Sequence, residues 1–392
     1  MKSETSRRNF LAAGLALPAA GLASTTSSPN PPAPAPQQAA TPKGKITYRT
    51  LGKTGMKVST VGFGCMITTD STVITRAADM GINYFDTSRG YQRGQNERMV
   101  GAALASKRKD IFLSSKCDEK TPEGILAELD TSLKELNTDH LDVWLLHGYG
   151  SPEQISDAMV EAQLKAKQAG KVRFIGVSTH NLPAIADRVI EAKLDICQPQ
   201  INYTSPATYI PAVEKLAKAG VGVVAMKVIA MARGGRRGAP GAPAAPPPPQ
   251  RTPASFAAAV KWAINNPNIH TTVPSMTDND QLEQNFAVMS QSFTEADQKI
   301  LTARLEEIRP YFCRMCGQCS GQCPKGLPVS DLVRFAMYAD GYGQFPLGRE
   351  NFQRMSEEHQ AVRCGDCSVC AVKCPNGVRV AQQLMRAQEL FA

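Results

Sequence analysis

Residues 111–147 have the sequence IFLSSKCDEKTPEGILAELDTSLKELNTDHLDVWLLH, in which an amphipathic stretch separates two short apolar runs. The runs Ile111–Cys117 and Leu141–His147 predict buried strands, and Thr121–Asn137 predicts the helix between them. Strand, helix and strand in this order are typical of a parallel sheet covered by helices.

The same alternation extends from residue 46 to about residue 302. The predicted strands are Val58–Cys65, Asn83–Ser88, Ile111–Cys117, Leu141–His147, Val172–Ser178, Ile196–Gln200, Val221–Lys227 and Thr271–Met276. The predicted helices are Thr72–Gly81, Asn96–Ser106, Thr121–Asn137, Pro152–Gly170, Leu182–Lys193, Ala207–Gly220, Ser255–Asn266 and Asp280–Met289. Eight such units in roughly 250 residues predict an α/β fold, a (β/α)8 TIM barrel. The alternative is a doubly wound open sheet, but its Gly-rich phosphate turn is missing after the first strand.

Two low-complexity segments account for most of the net charge of the 392-residue chain. The formal charge is +9; residues 1–45 contribute +4 and residues 231–254 another +4, which leaves +1 for the remainder. The folded part is therefore expected to lack a basic face, and a nucleic-acid partner is not expected. No apolar run reaches the length of about 20 residues that a membrane span needs. We interpret residues 231–254 as a Pro-rich insertion in the barrel.

The N-terminus has the pattern of an export signal. Arg7 and Arg8 precede Asn9-Phe10-Leu11, and an apolar run of Ala, Leu and Gly extends to Ala23. The paired arginines resemble a twin-arginine signal, although Ala12 stands where that signal usually has Lys. Residues 24–45 are a Pro/Ala/Ser-rich linker. The sequence thus predicts export by the twin-arginine route to the periplasm or cell envelope.

Four ionisable residues lie at neighbouring strand ends of the predicted barrel. Asp86 ends the second strand, Tyr91 follows it, Lys116 ends the third and His147 ends the fourth. The carboxyl ends of the strands form the active face of such barrels. In carbonyl reduction a tyrosine can donate the proton, a nearby ammonium can lower its pKa, and a carboxylate can hold that ammonium in place.

The barrel as a whole resembles the aldo/keto reductase family. The resemblance is carried by Gly62-Phe63-Gly64, Asn83-Tyr84-Phe85-Asp86-Thr87-Ser88, Asn96-Glu97, Leu145-Leu146-His147 and Gly176-Val177-Ser178. It implies a catalytic tetrad of Asp86, Tyr91, Lys116 and His147. It also implies NAD or NADP as cofactor, with the carboxamide near Ser178 and Gln198. The adenosine end would lie near Ser275, Thr277, Gln281 and Asn285. Asp278 and Asp280 leave the choice between NAD and NADP open, because carboxylates repel a 2′-phosphate.

The C-terminal segment contains two matching cysteine runs. Their spacing is Cys313-x2-Cys316-x2-Cys319-x3-Cys323-Pro324 and Cys364-x2-Cys367-x2-Cys370-x3-Cys374-Pro375, which is typical of two [4Fe–4S] clusters. In two-cluster ferredoxins the fourth cysteine of each run ligates the other cluster. We therefore expect one cluster on Cys313, Cys316, Cys319 and Cys374, and the second on Cys364, Cys367, Cys370 and Cys323. Zinc knuckles and disulfides are the alternatives.

Residues 303–392 are accordingly predicted to form a small ferredoxin-like domain after the barrel at 46–302. Ser330–Ala339 and Glu350–Gln360 have helical composition, so we expect this domain to be mostly α-helical. Cys65, Cys117 and Cys197 fall in or beside predicted strands and are interpreted as small core residues.

The sequence predicts an oxidoreductase that transfers hydride between a nicotinamide cofactor and a small carbonyl or alcohol substrate. Its clusters would serve electron transfer, which leaves room for a redox partner protein. An alternative is an electron-transfer or docking protein whose barrel is a scaffold, and a further one is that the clusters are structural. Hydride carries two electrons and a cluster one, and no flavin motif is present to connect them. The substrate itself cannot be predicted.

Overall fold

The computed structural model describes residues 44–230 and 252–392. The predicted export signal, and nearly all of its linker and of the Pro-rich insertion, lie outside the described residues. No helix within the described ranges is long and apolar enough to cross a membrane.

An eight-stranded parallel sheet forms the centre of the molecule. Its strands are β3 (Phe63–Gly64), β4 (Tyr84–Asp86), β5 (Phe112–Cys117), β6 (Leu141–Leu146), β7 (Val172–Thr179), β8 (Ile196–Pro199), β9 (Gly222–Ala225) and β10 (Thr271–Thr272), in that spatial order. Parallel bridges from Val61 to Thr272 and from Gly64 to Ser275 bring the first strand beside the last. The sheet is therefore a nearly closed (β/α)8 barrel, as predicted.

In the described part of the chain, eight helices alternate with the barrel strands and pack around them. They are α1 (Ser71–Asp79), α2 (Gln95–Leu104), α3 (Pro122–Leu136), α4 (Asp157–Gln168), α5 (Leu182–Glu191), α6 (Tyr209–Lys218), α7 (Pro253–Asn265) and α8 (Asn279–Val288). Local sequence sets their ends. In α3, the Thr121 side chain accepts a hydrogen bond from the Gly124 amide, Pro122 takes the first turn, and Asn137 ends the helix in a left-handed conformation.

The strands have two buried faces, which explains their continuous apolar runs. All six residues of β6 are buried. Val143 and Leu145 pack inside the barrel, whereas Trp144 and Leu146 pack against the surrounding helices. This alternation is the period of two that a strand imposes on its side chains.

The first predicted strand, Val58–Cys65, is only partly correct. Its beginning forms β2 (Lys57–Ser59), which pairs antiparallel with β1 (Tyr48–Thr50), and only Phe63–Gly64 joins the barrel. Between the two parts Gly62 donates a hydrogen bond to the Thr272 carbonyl. A Cβ atom at Gly62 would lie 2.7 Å from the Tyr84 carbonyl oxygen, so only glycine fits at this position without a shift of the backbone. The predicted helix Pro152–Gly170 also starts late, because residues 152–154 form a separate 3-10 turn.

Beyond the barrel the described chain is helical. Its helices are α9 (Glu295–Ile308), α10 (Val329–Ala336), α11 (Phe345–Gln353), α12 (Glu357–Ala361) and α13 (Val380–Phe391), and a five-residue π-helical segment, Met337–Gly341, continues α10. The predicted helix Glu350–Gln360 is two helices, because the chain breaks at Arg354 and Ser356 caps the second. Helix α9 crosses the predicted domain boundary at residues 302 and 303. A separate apolar core lies among these helices, and from here on residues 309–392 are called the tail.

Candidate functional site

The four residues of the predicted tetrad meet at the carboxyl ends of β4, β5 and β6. Lys116 Nζ donates a hydrogen bond to Asp86 Oδ2 at 2.6 Å and lies 3.5 Å from the Tyr91 hydroxyl. The His147 ring meets the Tyr91 ring edge to face, with 5.9 Å between centroids. The geometry is that of a proton donor flanked by an ion pair and an imidazole.

Lys116 and Asp86 form a buried and fully engaged ion pair. Lys116 is 1% exposed, and its ammonium also donates to the Thr87 carbonyl at 2.8 Å. The other Asp86 oxygen accepts from Ser114 Oγ at 3.0 Å. Since a buried charge is tolerated only when it is paired and hydrogen-bonded, these contacts hold the ammonium in a single position beneath Tyr91.

The pKa of Tyr91 departs from our expectation. Burial, followed by the negative charge of Asp86, raises the pKa of the Tyr91 phenol well above its ordinary value. We expected Lys116 to favour the phenolate, but its charge is already matched by Asp86, and removal of the phenol from water outweighs what remains. In this state Tyr91 holds its proton at neutral pH, as a proton donor must.

The partner of His147, Asp118, was not predicted from the sequence. Nδ1 of His147 lies 2.5 Å from Asp118 Oδ1 and 3.2 Å from Ser88 Oγ. Burial alone would raise the pKa of Asp118, but the charge of His147 and this hydrogen bond bring it to about 2. A carboxylate on Nδ1 fixes the ring, which leaves Nε2 for other contacts. The signal was present in the sequence, because Asp118 follows Lys116 by two residues at the same strand end.

A pocket of about 70 Å³ borders the tetrad on one side. Asp86, Tyr91, Met226, Lys227 and Ser275 are among its lining residues, and Tyr342 of the tail covers it. Ser275, predicted to contact a cofactor, thus lies in the same pocket as the predicted catalytic residues Asp86 and Tyr91.

Two further residues of the predicted cofactor site are buried with unsatisfied side chains. Neither amide atom of Gln198 or of Asn285 has a hydrogen-bond partner in the described chain, and both residues are fully buried. An orphaned buried amide costs roughly 1–3 kcal/mol, so such groups in a site are expected to have a ligand as partner. These side chains fit a nicotinamide dinucleotide. Ser178, which accepts from the Gly148 amide at 2.9 Å, is already engaged.

The predicted adenosine end carries carboxylates rather than cations. The side-chain Nε2 of Gln281 donates to Thr277 Oγ1 at 2.8 Å and also to one carboxylate oxygen of Asp278. The other oxygen of Asp278 accepts a hydrogen bond from the backbone amide of Gln281. Asp280 lies in the first turn of α8. Neither Lys nor Arg occurs between residues 275 and 285. The local charge therefore disfavours a 2′-phosphate at this end.

The tail contributes an ionisable cluster above the tetrad that the sequence did not reveal. The Tyr338 hydroxyl accepts from Lys227 Nζ at 3.2 Å and from Arg334 Nη1 at 3.1 Å. Lys227 Nζ also lies 4.3 Å from the centre of the Tyr338 ring, and the Tyr342 hydroxyl donates to the Ala230 carbonyl. Tyr338 lies on the π-helical segment, a feature frequent at functional sites.

Tyr338 is expected to ionise near pH 8. Burial alone would raise the pKa of this phenol, but the charges and hydrogen bonds of Lys227 and Arg334 bring it down to about 8. Tyr91 and Tyr342 face the same phenol and are themselves neutral in this range. Because the unfolded chain binds more protons than the folded chain between pH 8 and 10, Tyr338 adds stability as the pH rises through that interval.

The measurement is the phenolate absorption of the wild type minus that of Tyr338→Phe across a pH titration. We expect a midpoint near 8, and Tyr48→Phe, an exposed change at the opposite end of the barrel, should leave that component in place. A difference spectrum without a component below pH 9 would contradict the assignment. The difference in the free energy of unfolding between the wild type and Tyr338→Phe should also shift in favour of the wild type as the pH rises from 8 to 10.

The eight tail cysteines separate in space into the two predicted groups. The charges of Cys319, Cys316 and Cys374 act on the Cys313 thiol, and those of Cys323, Cys367 and Cys370 act on Cys364. A pocket of about 230 Å³ is lined by all four members of the second group, Cys323, Cys364, Cys367 and Cys370. In the first group Asn376 Nδ2 donates to Cys316 Sγ at 3.2 Å.

The described residues contain no group of three His, Cys, Asp or Glu side chains arranged for a single metal ion. A four-iron cube is wider than an ion, so its ligating thiolates stand farther apart. Four cysteines around one pocket, in a register that exchanges the fourth ligand, fit such a cube in donor chemistry and in grouping. Cys65, Cys117 and Cys197 are buried in the barrel, away from both groups.

A nearly closed (β/α)8 barrel with Asp, Tyr, Lys and His at its strand ends defines a class of hydride-transferring oxidoreductases. The sequence model of the aldo/keto reductase family matches residues 68–306, and the chain belongs to this family. L-galactose dehydrogenase of Arabidopsis thaliana is 30% identical over 63% of this chain and 89% of its own length. Methylglyoxal reductase DkgB of Escherichia coli O157:H7 is 25% identical over 63% of this chain and 93% of its own.

Among solved structures, aldo-keto reductase AKR11C1 from Bacillus halodurans in its holo form has the same fold. It superimposes with a TM-score of 0.55 at 24% identity, covering 66% of this chain and 96% of that one. The family match ends at residue 306, so the cysteine-rich tail lies outside it. The chain is thus an oxidoreductase of the NAD(P)-linked aldo/keto reductase type, and small carbonyl compounds fit that family.

Proposed function

We propose that the protein is a carbonyl reductase whose reaction takes place at Tyr91 and whose tail holds two [4Fe–4S] clusters. The observation that carries the reductase is the 3.5 Å contact between Lys116 Nζ and the hydroxyl of Tyr91, a residue that lines a pocket at the active face of the barrel. When bound there, nicotinamide supplies or accepts a hydride.

The residues of this chain have distinct parts in the reaction. Tyr91 donates its proton to the carbonyl oxygen as negative charge develops there, and takes it back in alcohol oxidation. Lys116, held by Asp86, stabilises the phenolate that this proton transfer leaves. His147, held by Asp118, directs Nε2 to the same oxygen. Gln198 and Asn285 would bind the two ends of a dinucleotide through side-chain amides that lack partners in the described chain.

NADH is expected to bind more tightly than NADPH, by about tenfold. The adenosine end of the site offers Gln281 beside Asp278 and Asp280, and these carboxylates repel the additional phosphate of NADPH. Fluorescence titration of the protein with each reduced cofactor gives the two dissociation constants. Gln281→Arg should narrow or reverse the ratio. Gln298→Arg, the same change on the exposed face of α9, should leave it unchanged.

The test of the proposed function is turnover of an aromatic aldehyde with NADH by the full chain, together with the nicotinamide that copurifies. Absence of both cofactor binding and turnover would overturn it. The second candidate is an electron-transfer protein with the barrel as scaffold. The grouping of the eight cysteines favours clusters in the tail, but the orphaned amides of Gln198 and Asn285 favour a ligand in the barrel.

The twin-arginine signal remains a proposal of the sequence, since residues 1–43 lie outside the described chain. It fits the proposed clusters, because clusters assembled in the cytoplasm require a protein that folds before export. Export in a folded state is tested by the location of the mature chain when Arg7 and Arg8 are replaced with Lys.

A further inference from the structure

A second pocket is also lined by Tyr91 and adjoins the pocket that contains Asp86 and Ser275. Its volume is about 280 Å³. The barrel contributes Met66 and the loop that carries Tyr91 and Gln92, and the tail contributes Gln344, Pro346 and Leu347. Four of its nine lining residues therefore come from the tail, a segment that the family match does not include.

The two pockets adjoin, because Met66 and Tyr91 line both of them. Tyr91, which is 8% exposed, is the tetrad residue that they share. A molecule in the larger pocket would contact Tyr91, while a nicotinamide in the smaller one would contact Asp86 and Met226. A carbonyl group at the junction of the two pockets would therefore be within reach of both the proton donor and the hydride source, as hydride transfer requires.

The charges at the rim of the larger pocket cancel. Arg93 Nε lies 2.8 Å from Glu350 Oε1, and this ion pair connects the barrel loop to helix α11. The rest of the named lining consists of apolar side chains and the amides of Gln92 and Gln344. With Arg93 paired to Glu350, the pocket offers apolar surface, the Gln344 amide and the amide oxygen of Gln92, and the one cation among its lining residues already has a carboxylate partner.

The barrel side of the rim is held in a fixed shape. Gln92 and Arg93 both have left-handed backbone conformations, with φ of 50° and 54°. Gln92 Nε2 donates to the Thr68 carbonyl at 2.8 Å and to the Met66 carbonyl at 3.3 Å, and these bonds hold the strained loop in place. Strain of this kind persists where surrounding contacts fix it, and it concentrates at binding sites.

We propose that this pocket between barrel and tail is the substrate site, that it takes a small uncharged carbonyl compound, and that Gln344, Pro346 and Leu347 select it. The tail is then part of the substrate specificity of the enzyme, whatever the clusters do. The assignment rests on the proposed function, because it takes Tyr91 as the proton donor. It goes further in naming the substrate's charge class and the residues of the tail that contact it.

The test fills the pocket from the tail side. Leu347→Trp should raise KM for para-nitrobenzaldehyde at least about tenfold and leave the dissociation constant of NADH unchanged, because the bulk enters only the substrate side. Leu164→Trp is the matched control, since Leu164 is an exposed leucine (43%) on the outer helix α4. Iron content and the circular dichroism spectrum show whether the variant tail has folded.

A second comparison tests the charge class. The wild type should reduce para-nitrobenzaldehyde with a higher kcat/KM than para-carboxybenzaldehyde, which has the same shape and a negative charge. Glu350→Gln should raise kcat/KM for the carboxylate several-fold, because Arg93 then lacks its partner. Equal use of both aldehydes by the wild type, with no change in Glu350→Gln, would overturn the assignment to uncharged substrates.

Saturation-transfer NMR can measure the binding of para-nitrobenzaldehyde without cofactor. This measurement distinguishes a failure of the substrate pocket from a failure of the proposed function. Binding that Leu347→Trp abolishes, in a protein without turnover, would overturn the proposed function and support the pocket. If the protein turns over the aldehyde and its KM is unchanged in Leu347→Trp, the assignment of this pocket as the substrate site is wrong, and the proposed function stays in place.

Discussion

Replacing Tyr91 with Phe is expected to lower kcat for NADH-dependent reduction of para-nitrobenzaldehyde by about 10²–10⁴-fold, which is the usual contribution of a positioned general acid. The change removes the hydroxyl that is proposed to give its proton to the carbonyl oxygen. Steady-state rates at saturating NADH measure the effect, and a solvent isotope effect present in the wild type should disappear with the proton donor.

The structure makes this substitution a selective one. Phe retains the ring that packs against His147, and only the hydroxyl is lost. Lys116 retains its bonds to Asp86 and to the Thr87 carbonyl, so no buried charge is left without a partner. The dissociation constant of NADH and the thermal unfolding midpoint should therefore stay close to those of the wild type.

Tyr48→Phe is the matched control, because Tyr48 lies on β1 and donates only to the Gly81 carbonyl. It should retain full turnover. If Tyr91→Phe also retains the turnover of the wild type, the proposed catalytic role of Tyr91 is wrong, and the interpretation of the barrel as a scaffold gains support.

The barrel could be predicted from the sequence because its elements are local and periodic. Strands such as Leu141–Leu146 are continuous apolar runs, and helices such as α3 carry their own capping residues. The same pattern predicts that the four ionisable residues lie near one another, since parallel strands end at one edge of the sheet, whereas their roles as a tetrad are what the family resemblance implies. Asp118 lies at the same strand end as Lys116, but its role was missed. That role depends on the orientation of the His147 ring, which no sequence pattern predicts.

The contribution of the tail to the active face could not be predicted in this way. Tyr338 and Leu347 are more than 240 residues from Tyr91 along the chain, and each is an ordinary helical residue in its local context. Their position depends on how the tail packs on the barrel, which no local pattern encodes. The spacing of the cysteines predicts their chemistry, whereas no spacing predicts the contacts between tail and barrel.

Removing one ligand set is expected to cost the tail half of its iron. With two [4Fe–4S] clusters the anaerobically prepared protein should hold eight iron atoms per chain. Replacing Cys313, Cys316 and Cys319 together by Ala should leave about four. Cys197→Ala is the control, because Cys197 is fully buried in the barrel and distant from both groups.

In that triple variant the fourth ligands can be told apart. The structure groups Cys323 with Cys364, Cys367 and Cys370 around one pocket, and it places Cys374 beside Cys313. Adding Cys374→Ser to the triple variant should therefore change nothing, whereas adding Cys323→Ser should remove the remaining cluster and its EPR signal on reduction. The effects of two substitutions on iron content add when the residues belong to different clusters. They do not add when both residues ligate the same cluster, because the first substitution has already removed it.

The opposite result has an equally clear meaning. If Cys374→Ser removes the remaining cluster and Cys323→Ser is silent, each run ligates its own cluster and the exchange of ligands is wrong. The reciprocal variant, with Ala at Cys364, Cys367 and Cys370, should invert the two outcomes and guards against a triple variant that fails to fold. Zinc in place of iron in the anaerobic wild type would overturn the clusters themselves, because four thiolates can also bind a single zinc ion.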